Sequence, residues 1–439
     1  MKTPNVKTAM ILSATCLIIL AGNIFAGDLE PVAAPASTMK TLDEVEPRIP
    51  IPGSDTSVGQ FTISQSGSYY LTGDRLCSDT GIRIEANDVT VDLMGYTLTG
   101  SGASYGVHIY SGGNVEVRNG TVRGFQNGIL QSNVSYYNCR AINITAESNT
   151  INGIYIYGRD CRIENCAIFN NGVSVADTYV YGIYAGANGR VLGNRVFKNG
   201  SQASGHYYVV GIYANYGCDI SNNVINDNGA SSTDSSKVFG IRAGAQCTIS
   251  ENQIVSNGSS AEDTVYGIYA GSDCVIRDNL CQSNGDGAGT TVYGMQVIDS
   301  CNVTGNSINS NAYNACSFVY GLYCGTGCII SANTVNGNGI YADEDVWGIY
   351  TMNDCVITGN TVRNNGTLST GGIVYGVRAY TGSSVIDNVV NNNGVSVSGG
   401  GYGIYLAGNN FADRNVAYGN LGANMNTSAT STYGTNHAP

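Results

Sequence analysis

Two residues after each of ten regularly spaced glycines stands a side chain able to meet a ligand: Tyr155, Tyr184, Tyr213, Arg242, Tyr269, Gln296, Tyr323, Tyr350, Arg378 and Tyr405. Flat aromatic faces at even intervals suit sugar rings, and Arg and Gln can bond hydroxyls or carboxylates. The competing reading is structural, because tyrosines on neighbouring strands support one another by about 0.2–1 kcal/mol per pair. It accounts for most of the tyrosines but not for Arg242 and Arg378. A second aromatic file precedes the glycines: Tyr181, Phe239, Tyr266, Tyr293, Tyr320, Trp347, Tyr375 and Tyr402, with Val210 in one place. Its parity matches that of the inward Ile residues, which assigns it to the core or its corner.

Acids gather in the loops that lead into the same strands: Asp177, Asp234, Glu262, Asp263, Asp286, Asp343, Glu344 and Asp345. They are expected to line one edge beside the tyrosine stripe. Such a row can hold calcium, a hard cation that takes several oxygens, and Asp343, Glu344 and Asp345 form the densest candidate set. The plainer reading is a solvated acidic rim. His108 occupies the stripe position after Gly106, and His206 lies in a loop beside Tyr207 and Tyr208. No serine, histidine and acid motif for nucleophilic catalysis is present.

The elements that position these residues come from a repeat. The reference glycines are Gly153, Gly182, Gly211, Gly240, Gly267, Gly294, Gly321, Gly348, Gly376 and Gly403, at steps of 27–29 residues, the length of a solenoid repeat. Twelve residues after each comes an asparagine: Asn165, Asn194, Asn223, Asn252, Asn279, Asn306, Asn333, Asn360, Asn388 and Asn415. Apolar residues alternate in three short runs per unit, with Gly or Asn corners between them, which describes a coil of three strands. Gly81, Gly106 and Gly128 head three shorter units, making about thirteen coils. Stacking would place each strand about 4.8 Å from its own copy. A stacked asparagine tolerates the left-handed geometry of a tight corner and bonds the Asn of the next coil. Cys218, Cys247, Cys274, Cys301, Cys328 and Cys355 each lie seven after a reference glycine, so they too should form an internal file. A linear file cannot wrap one zinc ion tetrahedrally. Neighbouring rungs fall within disulfide reach, yet small buried thiols simply fill a tight interior, and that is the expectation preferred here.

These features together resemble the right-handed parallel β-helix family, the all-β superfold of pectate lyases and related polysaccharide-acting proteins, over about residues 81–425. The resemblance implies a single-stranded helix of coils with Asn ladders. For lyases on this fold it implies calcium-binding acids and a basic residue that removes a proton beside a sugar carboxylate, and for hydrolases paired acids. Arg242, with Asp234 in the loop before it and Glu262 and Asp263 one coil on, is the grouping that matches a lyase in outline.

Lys2 and Lys7 precede an apolar run from Ala9 to Ala21, and Ala26 follows, the pattern of a secretory signal peptide over residues 1–26. The run is short for a membrane span, so the mature chain is expected to be secreted, to the periplasm, cell surface or medium. Cleavage removes two lysines and no acid, which makes the net charge of −12 more negative. That balance argues against nucleic acid as a partner. Residues 27–60, with Pro31, Pro35, Pro47, Pro50 and Pro52, read as a linker or irregular segment. The β-helix is expected over 61–425, capped by 61–80, and 426–439 reads as a poorly ordered polar tail. Three functions stay open: binding of extracellular or cell-surface polysaccharide along the tyrosine face, lyase or related activity on uronate-containing glycans, and a structural solenoid without a small ligand.

Overall fold

A computed structural model describes residues 48–439 except 103, 174–178, 202–207, 231–236, 315 and 398. The signal segment, Asp177, His206 and Asp234 therefore lie outside the described residues. Fifteen strands, from Phe61–Ile63 to Ala423–Thr427, pair in parallel in one sheet. The thirteen between these two flanking strands match the thirteen coils read from the glycines. The other two sides of each coil join in a sheet of 29 strands, because Glu116–Arg123 and Arg140–Glu147 run unbroken through the corner that other coils turn. Equivalent residues sit over one another: Ile268 pairs with Met295, Met295 with Leu322, and Leu322 with Ile349. Crossovers between parallel strands take the right-handed sense.

Two apolar columns hold the coils together. The main one runs the length of the solenoid through Ile268, Ala270, Cys274, Ile276 and their copies, all fully or almost fully buried. A second, smaller column lies under the loops and contains Val180, Val209, Val238, Val265, Val292, Val319, Val346 and Val374. The reference glycine is the crease between them. In Val265–Ala270 the side chains run in, out, in, in, out, in, with Val265 in the small column and Ile268 in the large one. A Cβ on Gly267 would lie 2.4 Å from the Gly294 carbonyl oxygen of the next coil. Only glycine fits there.

The asparagine file stands as a hydrogen-bond ladder. The Asn279 N–H and Nδ2 both donate to Asn306 Oδ1 at 3.0 Å. Asn306 repeats the pattern onto Asn333 at 2.9 and 3.0 Å. Each amide also donates to a carbonyl of the previous coil, as Asn306 Nδ2 does to Ile276 O at 2.9 Å. Asn165 departs from the file. The turn after Gly153 carries one extra residue, so Asn165 is exposed with φ +54° and Cys166 takes the rung, its N–H donating to Asn194 Oδ1 at 2.9 Å. A second ladder, which the Asn-Gly corners hint at, runs from Asn149 through Asn171, Asn199, Asn228, Asn257 and Asn284 to Asn420 and is buried along its length.

The cysteine file behaves as a third ladder. Cys247 Sγ accepts the Cys218 N–H at 3.3 Å and donates to Asn215 O at 3.0 Å. Farther along, Ser383 and Asn410 take over the same position, Ser383 Oγ accepting the Cys355 N–H at 3.1 Å. A thiol in this file is thus a polar rung as well as a filler. All thirteen described cysteines are buried and unbridged. Burial pushes the Cys139 thiol up to about 11 and the Cys166 thiol up to about 12. The folded protein is expected to react with no more than a trace of a thiol reagent, and the protein unfolded without reductant to expose all thirteen. A titration that finds few reactive thiols after unfolding would show disulfides between rungs instead.

Both ends extend farther than the sequence suggests. Ile49–Ile51 pairs with Gly67–Leu71, and Ser54–Val58 with Arg75–Cys77, so part of the stretch read as linker belongs to the first coil. The segment 61–80 supplies three strands of that stack instead of a separate cover. At the other end Ala423–Thr427 and Thr432–Tyr433 add a terminal rung. Asn436 Oδ1 accepts from Asn415 at 2.9 Å and Asn424 Oδ1 from Asn420 at 3.1 Å, so the tail satisfies the last amide of each asparagine ladder. The polar composition that reads as disorder serves as a hydrogen-bonding end piece.

Candidate functional site

The two aromatic files share one outer face. Rings in the file before the glycines stack rung on rung from Phe239 to Tyr402, with centroids 4.3–6.1 Å apart and interplanar angles of 2–22°. The stripe after the glycines stacks in the same way, Tyr155 on Tyr184 at 4.3 Å, Tyr184 on Tyr213 at 4.6 Å and Tyr323 on Tyr350 at 5.3 Å. Across the crease the files meet edge to face, Tyr266 against Tyr269 at 5.7 Å and 85°, Tyr320 against Tyr323 at 5.7 Å and 84°. The inward assignment of the first file is therefore corrected. Alternation counted through the glycine fails because Gly267 and Ile268 both point inward.

Stacking along the axis also changes what the face offers. Most ring faces are covered by neighbouring rings, Tyr269 between Arg242 and Gln296 being an exception, so edges and phenol hydroxyls are chiefly what reach solvent. None of these tyrosine oxygens is a buried atom lacking a partner. The result is a comb of hydroxyls repeating about every 4.8 Å, with a gap at the rung of Phe239 and Arg242. Burial, with Tyr323 adding to it, pushes Tyr293 up to about 12, and burial likewise raises Tyr181, Tyr184, Tyr266 and Tyr320. These five phenols are neutral donors at physiological pH.

Arg242 and Arg378 interrupt the stripe and are boxed by rings. Arg242 Cζ lies 5.3 Å from the Tyr208 centroid, 5.6 Å from Tyr213 and 5.2 Å from Phe239. Arg378 Cζ lies 5.5 Å from Tyr350, 5.1 Å from Tyr375 and 5.7 Å from Tyr405. The ion pairs of the described residues use other arginines, and neither of these two has a carboxylate partner among the described residues. Cation and ring attraction holds each guanidinium without neutralising it. Gln296 continues the stripe, half-buried between Tyr269 and Tyr323.

The continuous parallel register, three ladders and a creased sheet settle the architecture. The chain is a parallel β-helix. No family model matches its sequence, and no curated protein does. Among solved structures it is similar to the Dettilon tailspike protein, at 16% identity and a TM-score of 0.40, over 74% of this chain and 61% of that one. It is also similar to the A-module of the Azotobacter vinelandii mannuronan C-5 epimerase AlgE4, at 15% identity, a TM-score of 0.36 and coverage of 74% and 86%. For the A-module of AlgE6 the identity is 14%, the TM-score 0.32 and the coverage 85% and 90%.

Among the described residues, the loop acids of this β-helix do not gather around Arg242 and Arg378. Asp263 accepts from the hydroxyls of Thr264 at 2.9 Å and Thr290 at 3.2 Å, and Glu262 is exposed. Asp286 accepts twice from Asn314, at 2.9 and 2.8 Å. In the calcium candidate, Asp343 takes the Thr370 hydroxyl at 3.1 Å and Asp345 the Ile373 N–H at 2.6 Å, while Glu344 is exposed. These carboxylates tie one loop to the next. Among the described residues no group of three His, Cys, Asp or Glu side chains converges as a metal site would require. His108 sits farther along the same face, and burial, aided by Arg83, holds it down to about 4, so it is neutral. No helix of the described residues is long and apolar enough to cross a membrane.

Proposed function

We propose that this chain is exported and binds an extracellular or cell-surface polysaccharide along the two aromatic files. The observation that carries the reading is chemical: a straight row of phenol hydroxyls, one or two on every rung except that of Phe239 and Arg242, punctuated by two guanidinium groups that no described carboxylate neutralises. The rungs from Tyr155 to Tyr405 span nine steps, about 43 Å at the usual strand spacing. A polymer with hydroxyls or carboxylates at regular intervals can bond such a comb at many points, each weak alone and strong together. Contact is chiefly by hydroxyls and ring edges, since most ring faces are already used. The reading is one of binding, because Asp263 is engaged by the Thr264 and Thr290 hydroxyls and no ion pair among the described residues joins a carboxylate to Arg242.

The test keeps the stack and removes the hydroxyls. Electrophoresis of the full-length protein through gels containing one polysaccharide each should show retardation by at least one polymer. Tyr269→Phe combined with Tyr323→Phe and Tyr350→Phe should weaken that retention about tenfold or more, and Arg242→Ala with Arg378→Ala should do the same for an anionic polymer. Unchanged migration of both variants on every retarding polymer would overturn the reading. New absorbance from an unsaturated product, dependent on Arg242, would replace it with the lyase.

A further inference from the structure

Rung-on-rung stacking stops at the N-terminal coils. The stripe position is Leu130 in the coil below Tyr155 and His108 in the one below that, so Tyr155 has no ring beneath it. Beside this gap the chain makes an excursion over 132–137 after the strand Asn127–Gln131. The base of the excursion is fastened from inside. Gln131 is fully buried, its Oε1 accepting the Gly158 N–H at 2.6 Å and its Nε2 donating to Asn133 O. The Ser135 N–H donates to Asn133 Oδ1 at 2.9 Å. Buried polar anchors of this kind hold a loop in one shape.

Between the excursion and the strands lies a cavity of about 530 Å³, lined chiefly by Tyr105, His108, Tyr110, Leu130, Tyr136 and Tyr157. Face-to-face stacking is sparse among its rings: among the described residues Tyr157 alone of them lies on a neighbour in this way, Tyr155 at 6.4 Å and 29°. His108 meets Tyr105 at 4.6 Å with a 57° tilt and Tyr110 edge-on at 5.5 Å and 82°. Among the described residues no parallel ring covers Tyr105 or Tyr136, so these tyrosine faces are open where most of those along the stripe are closed. The ring nitrogens of His108 make no hydrogen bond to the described residues. No charged side chain lines the cavity, and the cation nearest His108, Arg83, is paired with Glu85 at 2.6 Å while lying over the Tyr110 ring at 3.5 Å.

We propose that this cavity is a binding site, separate from the stripe, for an uncharged sugar unit. Its volume falls within the roughly 300–1,000 Å³ of small-ligand sites, and its lining is the usual mixture of aromatic surface with a few polar groups. A pyranose ring can lie against an open tyrosine face while its hydroxyls bond the imidazole, which serves as both donor and acceptor when neutral. A carboxylate would be desolvated there with no free cation to meet it. The site does not rest on the stripe reading, since it can fill whether or not a polymer lies on the comb.

Saturation-transfer NMR of the full-length protein with neutral methyl hexosides and N-acetylhexosamines, and with the corresponding uronic acids, tests it. At least one neutral sugar should bind the parent chain and the Arg242→Ala variant alike, and its affinity should fall tenfold or more in His108→Ala and in Tyr136→Ala. His108→Asn, which keeps a polar group of similar reach, should recover part of the loss and exclude misfolding as the cause. Absence of saturable binding by any neutral sugar, binding indifferent to His108 and Tyr136, or a preference for the uronic acids would each overturn the proposal. Loss in Arg242→Ala without loss in His108→Ala would place the sugar on the stripe and overturn it as well.

Discussion

Asn306→Ala should lower stability by roughly 2–6 kcal/mol, although the side chain touches no ligand face. The substitution orphans the buried Asn279 N–H and takes one of three acceptors from Asn279 Nδ2, which keeps Ile249 O and Arg277 O. It also removes the amide that donates to Ile276 O at 2.9 Å and Thr304 O at 3.1 Å. Each orphaned buried group costs about 1–3 kcal/mol, whereas a satisfied bond contributes only about 0.5–1.5, so damage to a ladder exceeds the strength of the bonds lost. Asn165→Gly is the control. Asn165 is exposed, out of file and at φ +54°, where glycine is at ease, and its replacement should change stability by no more than about 0.5 kcal/mol. Denaturant midpoints, followed by a probe of sheet content, separate the two. Equal effects would contradict the ladder account.

Gly294→Ala is the second large effect, with an expected loss of about 3 kcal/mol or more. The added Cβ would lie 2.6 Å from the Gly321 carbonyl oxygen, 2.6 Å from Ile308 Cγ2 and 2.8 Å from Asn311 Nδ2. None can yield freely, because the carbonyl belongs to the next rung, the isoleucine to the main column and the amide to the second ladder. Relief needs the crease to open, which separates the two apolar columns. Gly359→Ala provides the contrast: φ there is +64° but nothing stands within 4 Å, so the cost is the left-handed backbone alone, about 1–2 kcal/mol. A Gly359→Ala loss as large as that of Gly294→Ala would mean that backbone conformation, not the crease, sets the glycine requirement.

Much of this architecture can be read from spacing. Glycines at 27–29 residues, asparagines at +12 and cysteines at +7 locate the coils, the first asparagine ladder and the thiol file, because a solenoid turns equal sequence position into vertical alignment. Counting fails where the chain bends. One inserted residue before Cys166 moves Asn165 off its rung without disturbing the glycine spacing. Two inward residues at Gly267 and Ile268 reverse the parity that placed Tyr266 in the core or its corner. The face is legible as a list of residues, Tyr184, Tyr213, Arg242, Tyr269, Gln296, Tyr323, Tyr350 and Arg378, but its chemistry is not. Whether a tyrosine shows its face or its edge depends on stacking geometry, which residue type and period do not contain. The His108 cavity was hidden for another reason: its wall is an irregular excursion, and repeats call attention away from what departs from them.

Trp347, the sole tryptophan of the chain, is 5% exposed within the stacked file, against Tyr320 at 4.3 Å and Tyr350 at 5.9 Å. Its fluorescence is therefore a built-in reporter of anything that settles along the face. Titration with a polysaccharide that retards the protein should give a saturable change in Trp347 emission, and Arg378→Ala should weaken the midpoint while leaving the unbound spectrum nearly unchanged. Emission that stays constant while the same polymer is demonstrably bound would put the glycan elsewhere on the molecule and contradict the assignment of the aromatic face.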